Sequence, residues 1–490
     1  MPASKRSHWW RWLYIVHRWI GIVTCLLFAI WFVSGLVMVY VPFPGLSRAE
    51  RLAGLASIDW RQIRLGPVEA LRAAGITAPP RTLALEMRGD RAVWRIDPWG
   101  GEQVTVSASD GRPPAAADAR EAARTAAMFA GAPVTLIAPI ERDQWTVPGS
   151  FDRHRPLWKA SLAGSGSRVL YVSSKTGAVV LDTNAHERFW NWLGSVPHWI
   201  YPTVLRQDNA AWRQVVMWVS GPCIVGAVTG MWIGVLRTRI GRRRFKNGRM
   251  TPYRGWMEWH HVAGLIGGTF LVAWIFSGWL SVDPFRLFAS DGVSEERLEA
   301  YAGATVPTAV DMAIVAKRAQ GAKRIVFEGA AGRPLVTIER GADVSSVLDT
   351  ETLAPAAIAR PTLVRAAAAL VPDAPILAIQ HLDAPDAYWY AVGERPTLPV
   401  LRIRFGDAAG TWIHVDPASG RLLGDLDRRR RTYRWLFDLL HKWDLNVLTL
   451  HRPAWDVLLW ILSLLGLVTS ITGIKVGWTR LRRRKPAVPA

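Results

Sequence analysis

The chain has 490 residues, half of them hydrophobic, and sets 60 lysines and arginines against 39 acids for a formal charge of +21. It is too long for one ordinary domain and too apolar for a soluble protein of such charge, so part of it must find an apolar solvent. The two cysteines, Cys25 and Cys223, both fall inside apolar runs and read as small packing residues, and neither belongs to a zinc-type cluster or a covalent cofactor-attachment motif.

Residues 12–41 form the first apolar run, long enough for the ~20 residues that cross a ~30 Å hydrocarbon layer. The run exceeds a signal-peptide h-region and no Ala-x-Ala-like site follows it, so a retained spanning helix is expected. Residues 42–188 read as an α+β domain. Helical stretches at Val68 to Ala74 and Ala117 to Ala130 are each followed by strands, with a hairpin turn at Val172-Ser-Ser-Lys-Thr-Gly177. Residues 189–211 are an interfacial segment carrying Trp190, Trp192 and Trp199. A second span is expected at 212–236, a basic loop at 237–256 and a third span at 257–282. Residues 283–431 repeat the α+β pattern, with helical stretches at Val310 to Ala319 and Leu363 to Ala369 and a turn at Val415-Asp-Pro-Ala-Ser-Gly420. An interfacial segment with Trp443 (432–454), a fourth span (455–478) and a basic tail (479–490) complete the chain. Each outer domain reads as two helix-plus-hairpin modules.

The positive charge lies beside helix ends, which argues for membrane topology and against nucleic acid. The loop carries Arg237, Arg239, Arg242, Arg243, Arg244, Lys246, Arg249 and Arg254 without an acid between Arg237 and Arg254, and the tail carries Arg480, Arg482, Arg483, Arg484 and Lys485. With Lys5, Arg6 and Arg11, these place both termini in the cytoplasm and 42–188 and 283–431 outside. Arg428 to Arg431 fall on the outer side near Asp425, Asp427, Asp438 and Asp444, and read as a solvated charge cluster.

A shift of 243 residues aligns Arg11 with Arg254, His17 with His260, Gly21 with Gly264, Trp31 with Trp274, Ser34 with Ser277 and Gly35 with Gly278. Without a gap it also aligns Trp192 with Trp435, His198 with His441, Trp212 with Trp455, Thr229 with Thr472, Gly230 with Gly473 and Arg237 with Arg480. The chain therefore reads as a tandem 2+2 parallel repeat, its copies related by a pseudo-twofold axis along the membrane normal.

Histidine in a span is expensive without a partner and marks a functional site by default. Among 11 histidines, random placement predicts roughly 0.1 His-on-His matches at one fixed shift, and two occur. The helical stripes read His17, Gly21, Thr24 and His260, Gly264, Gly267, with small residues one turn from each imidazole. That suits a porphyrin on the axis with His17 and His260 as axial ligands, while close helix packing with hydrogen-bonded histidines is the plainer alternative. The same symmetry places a second such site at His198 and His441, against the alternative of merely wetted interfacial histidines. Two b-type haems, held noncovalently, are thus expected. His261 and His451 lack partners in the repeat and are reserve ligands or substrate-side groups. The spans offer almost no carboxylates for zinc or di-iron, Glu258 standing at a helix end.

His17-Arg-Trp-Ile-Gly21, Trp259-His-His-Val-Ala-Gly264, the Ser-Gly pairs at 34/35 and 277/278, the Thr-Gly pairs at 229/230 and 472/473 and the outer modules resemble the PepSY-associated transmembrane family. The resemblance covers nearly the whole chain. It implies four transmembrane helices plus two periplasmic α+β PepSY-like domains in the bacterial inner membrane. It also implies a ferric-siderophore reductase with b-type haems that reduces Fe(III) to Fe(II) on the periplasmic side. Trp190, Trp192, Trp199 and Trp443 are candidates for docking the ferric siderophore, though membrane anchoring explains them equally well. No dinucleotide-binding or Walker motif appears, so a quinol or a separate reductase is the expected donor. A non-redox scaffold or regulator of a periplasmic partner, or a transporter, are the rival readings.

Overall fold

The computed structural model describes residues 4–164, 166–241, 244–245, 248–303, 305–306, 310–342, 344–390 and 396–482, with side chains from residue 10 onward. The side chains of Lys5, Arg6 and His8, and residues Arg242, Arg243, Lys246, Arg483, Arg484 and Lys485, lie outside the described part.

In chain order, helix α1 (Ser4–Tyr40) precedes α2 (Pro67–Ala73), strands β1 (Thr82–Arg88), β2 (Arg91–Asp97) and β3 (Val104–Ser107), α3 (Ala119–Ala130), and β4 (Val134–Ile140), β5 (Leu157–Leu162), β6 (Val169–Ser173) and β7 (Val179–Thr183). Helices α4 (Asn209–Leu236) and α5 (Trp256–Leu280) follow. The pattern then recurs as α6 (Met312–Arg318), β8 (Arg324–Ala330), β9 (Arg333–Glu339), β10 (Ser345–Asp349), α7 (Arg360–Ala368), β11 (Ile376–Leu382), β12 (Val400–Phe405), β13 (Trp412–Val415), β14 (Leu422–Leu426) and α8 (Arg452–Arg482). The chain divides into a helical unit (1–43, 189–289, 432–490) and a sheet unit (44–188, 290–431).

In the sheet unit the short helices form where caps allow. Asp118 accepts from Glu121 N ahead of α3, and Asp311 accepts from the first amides of α6. The expected hairpins are longer antiparallel meanders, three strands after α2 and α6 and four after α3 and α7. The two outer segments are also not separate bodies, since β1 pairs with β8 and the first meanders fuse into one six-stranded sheet, β10-β9-β8-β1-β2-β3. Each first meander begins with an alternating apolar strand that would otherwise be a bare edge, and pairing β1 with β8 covers both of these, leaving β3 and β10 at the edges. Leu83, Leu85, Trp94, Ile96, Ile325, Phe327, Val336 and Ile338 alternate onto one buried face under α2 and α6.

In the helical unit, α1, α4, α5 and α8 are the four helices long and apolar enough to cross a membrane. α1 packs on α4 and α8, and α5 packs on the same two, so α1 and α5 face each other across the bundle diagonal. Glycines let the helices approach: a Cβ on Gly226 would meet Ile20 at 2.7 Å, and one on Gly477 would meet Ile22 at 3.1 Å. Phe28, Phe32, Cys223, Ala227, Leu271 and Ile275 fill the centre, while Val23, Leu26, Trp218, Val235, Ile266, Val457 and Ile461 stand exposed on the outside.

Candidate functional site: two facing histidine pairs

His17 of α1 and His260 of α5 meet on the diagonal with ring centroids 6.3 Å apart and planes 31° apart. Nδ1 of His17 lies 3.0 Å from the Gly226 carbonyl of α4, and Nδ1 of His260 lies 3.1 Å from the Thr469 carbonyl of α8. A carbonyl only accepts, so each Nδ1 carries the proton and donates, leaving Nε2 as the basic nitrogen. No described residue hydrogen-bonds either Nε2. A Cβ on Gly230 would stand 2.6 Å from Cε1 of His17, and one on Gly473 3.1 Å from Cε1 of His260, so only glycine leaves the rings in place.

Both imidazoles line a cavity of about 370 Å³, with Gly21, Thr24, Gly264 and Gly268 on its wall and Tyr14, Arg18, Tyr253 and Arg480 contributing polar groups. Gly21 and Gly264 leave open space, the nearest atoms to an added Cβ being 4.0 and 3.7 Å away. Gly267, expected on the stripe, instead faces α8, where an added Cβ would stand 3.3 Å from the Leu465 backbone, and its neighbour Gly268 takes the place on the wall.

The second pair uses the same chemistry with different partners. His198 ends the short helix Ser195–His198, and His441 lies in Leu440–Lys442 after a π-helical turn at Arg434–Leu439. Their centroids are 6.1 Å apart, with planes at 68°. Nδ1 of His198 is 3.1 Å from Ser34 Oγ, and Nδ1 of His441 is 3.0 Å from Ser277 Oγ. Each serine hydroxyl donates to a carbonyl one turn back, Trp31 O or Trp274 O, and so is left to accept from the imidazole. Gly35 and Gly278 sit against these rings as Gly230 and Gly473 do against the others, an added Cβ falling 3.2 and 3.3 Å from Cε1. Trp212 Nε1 donates to Trp199 O and Trp455 Nε1 to Lys442 O, fastening each turn to the following long helix. All these contacts come in twos, offset by 243 residues. Ser34 lies 17 residues beyond His17, which puts the two pairs ~26 Å apart along α1.

A family model described as the PepSY-associated TM region matches residues 14–324, more than half of the chain. The chain belongs to that family. No curated protein matches it significantly.

In this PepSY-associated multi-pass membrane protein the reserve histidines have other employment. His261 is buried, with Nε2 2.9 Å from the Gly234 carbonyl and Nδ1 2.8 Å from Thr251 Oγ1, so both nitrogens are used in tying the loop before α5 to α4. His451 is exposed, its Nδ1 on the Val447 carbonyl one turn back. Neither joins a pair. Of the four tryptophans proposed for docking, Trp190 and Trp192 are exposed. Trp199 packs among Phe43 and Tyr201, and Trp443 packs on Phe270. Among the described residues, no group of three or more His, Cys, Asp or Glu side chains converges as a metal cluster. The hydroxyls of Ser34 and Ser277, the carbonyls of Gly226 and Thr469 and the ring-seating glycines are the site parts that pattern alone did not assign.

Proposed function

We propose that this protein is an inner-membrane electron carrier that holds two b-type haems and acts as a ferric-siderophore reductase on the periplasmic side. The reading rests on the histidine geometry: two couples 6.3 and 6.1 Å apart, every Nδ1 tied back and every Nε2 without a bond among the described residues. Two metal–imidazole bonds of ~2.0 Å, with the ring's own radius of ~1.1 Å on each side, span about 6 Å, so one iron fits each couple. A zinc or di-iron site asks for three or four protein ligands, whereas a porphyrin brings four nitrogens of its own and needs two.

When bound, haem would supply one-electron chemistry by cycling its iron between ferric and ferrous. The protein's contribution lies in its side chains. The carbonyl and serine acceptors fix each imidazole in the tautomer that presents Nε2 and raise its basicity. Gly21 and Gly264 leave room beside the first couple, and Arg18 and Arg480 suit carboxylates on the edge of a bound porphyrin. Phe28, Phe32, Leu271 and Ile275 fill the interval between the couples with apolar side chains, which excludes water from the path.

The basic residues at the ends of α4 and α8 and in the loop after α4 set those ends in the cytoplasm, so His17/His260 is the inner couple and His198/His441 the outer one. The matched contacts at an offset of 243 support descent from a duplicated half. A quinol releasing two electrons and two protons, or a separate reductase, would feed the inner couple, and each Fe(III) would take one electron to become Fe(II). The acceptor class comes from the family resemblance.

Protein purified from haem-replete cells should show a reducible Soret and α band with two haems per chain. His17→Ala and His198→Ala should each remove about one. A colourless, folded preparation would sink the redox reading and favour a scaffold or transporter. Reduced protein should then be reoxidised by a ferric siderophore with Fe(II) appearing in a ferrous-specific chelator; indifference to every ferric chelate would remove the reductase assignment.

A further inference from the structure

Trp412 on β13 carries three guanidiniums on its indole: Arg431 at 4.2 Å from the ring centroid, and Arg402 and Arg404 at 4.9 Å each. Arg428 reaches the same corner, with Nη2 3.7 Å from where a Cβ on Gly410 would sit and Arg431 Nη2 at 3.1 Å from that point. Arg428 to Arg431 are therefore not a simple solvated run, for Arg431 is folded onto the sheet and held by the Gly410 and Leu426 carbonyls.

The described acids nearby are committed. Asp386 makes two bonds to Arg402, at 2.5 and 2.9 Å. Asp427 accepts from Arg430 N, Asp425 pairs with the Arg430 side chain, and Asp407 accepts from Thr411. Among the described residues Arg404 meets no carboxylate, and its buried Nε is bonded to none of them. Like charges gathered this closely repel, and stacking on the indole compensates only in part. The corner is thus a preorganised set of donors whose complement is a compact polyanion. A row of scattered basic residues would suit a lipid surface, but convergence on one indole does not.

We propose that Arg404 and Arg431 around Trp412 bind an anionic ferric chelate, and that this protein therefore takes catecholate- or carboxylate-type siderophores in preference to hydroxamates. The charge argument is elementary: three catecholate dianions around Fe(III) leave a triply negative complex, whereas three hydroxamate monoanions leave a neutral one. The inference rests on the reductase reading for the iron, but the binding can be tested apart from it.

The full chain in phosphatidylcholine nanodiscs is titrated with gallium(III) tris-catecholate and gallium(III) trihydroxamate, which bind like the ferric complexes and are not reduced. The catecholate should bind at least ~tenfold tighter, and the margin should shrink as salt rises. Arg404→Gln, at a side chain that hydrogen-bonds no described residue, should leave thermal stability unchanged and weaken the catecholate complex by ~tenfold without touching the hydroxamate, and Arg404→Lys should recover part of the loss. Equal binding of the two complexes, an unaffected Arg404→Gln, or displacement by inorganic phosphate at the same concentration would each overturn the proposal. It is likewise overturned if the catecholate fails to bind while Arg404→Gln loses attachment to phosphatidylglycerol vesicles, which would mark the corner as a headgroup contact. A ferric catecholate that binds here and is never reduced would sink the reductase reading and leave the binding site standing.

Discussion

One nitrogen of each paired imidazole is occupied, and a glycine beside each ring holds it to that bond. Gly230 is the tightest case: an alanine there would place Cβ 2.6 Å from Cε1 and 3.0 Å from Nδ1 of His17, so the ring must leave the Gly226 carbonyl or α4 must move. Overpacking of this kind costs about 1–3 kcal/mol. Gly230→Ala and Gly473→Ala should therefore lower the melting temperature and reduce haem content by about half, the Ser34 and Ser277 couple keeping its share. Full haem content in either variant would show that the glycine does not seat the ring. The histidines were legible because two of them repeat at one offset, which chance does not supply. Ser34 and Ser277 repeat at the same offset, yet a serine in a spanning helix ordinarily bonds the carbonyl one turn back, as both do here. Their second bond, to an imidazole from a distant segment, leaves no trace in local pattern. The exchange of Gly267 for Gly268 on the cavity wall has a similar source, since adjacent helix positions are only 100° apart and helix crossing decides between them.

Among the strands, the polar face of the six-stranded sheet carries a buried charge group. Glu86 on β1 is 1% exposed and meets Arg95 at 2.5 Å, Arg51 at 3.1 Å and Arg324 of β8 at 3.2 Å. Burial by itself would raise its carboxyl, but the three guanidiniums together outweigh burial and hold it down at about 2. The unfolded value is ~4.3, so the folded form binds its proton less readily. The stabilisation is fully present above that value and is lost as pH falls from ~4.3 through about 2. It is worth roughly 3 kcal/mol at neutral pH. Calorimetry of the sheet unit in the full-length protein should show a steep fall in stability over that window, and Glu86→Gln should be less stable at pH 7 and lose the acid slope contributed by this group. An unchanged slope would assign acid sensitivity elsewhere. Strand alternation and turn chemistry made the individual meanders legible. The pairing of β1 with β8 was not, because two equally apolar edge strands some 240 residues apart carry no local signal that each is the other's neighbour. Two domains were expected for that reason, where the chain forms one sheet unit.

Across the whole molecule, each couple takes one histidine from either side of the loop between α4 and α5: His17 and His198 precede it, His260 and His441 follow it. The six-stranded sheet divides in the same way, β1 to β3 before the loop and β8 to β10 after it. The spans were legible from composition alone, since each apolar run had to be long enough for the bilayer. What composition could not say is that neither half closes its own site. Cutting the chain after Gly248 and co-expressing residues 1–248 with 249–490 tests this directly. Each piece keeps an even number of spans and so its insertion, and the pieces retain the α1–α8 and α4–α5 contacts and the β1–β8 ladder that rejoin them. Co-expressed pieces should copurify through a tag on either one and recover both haems, whereas each alone, with one histidine per couple and an open sheet edge, should aggregate or arrive colourless. A first piece that stays monomeric and carries haem by itself would show that the ligands do not come from opposite halves, and the paired arrangement on the bundle diagonal would have to be abandoned.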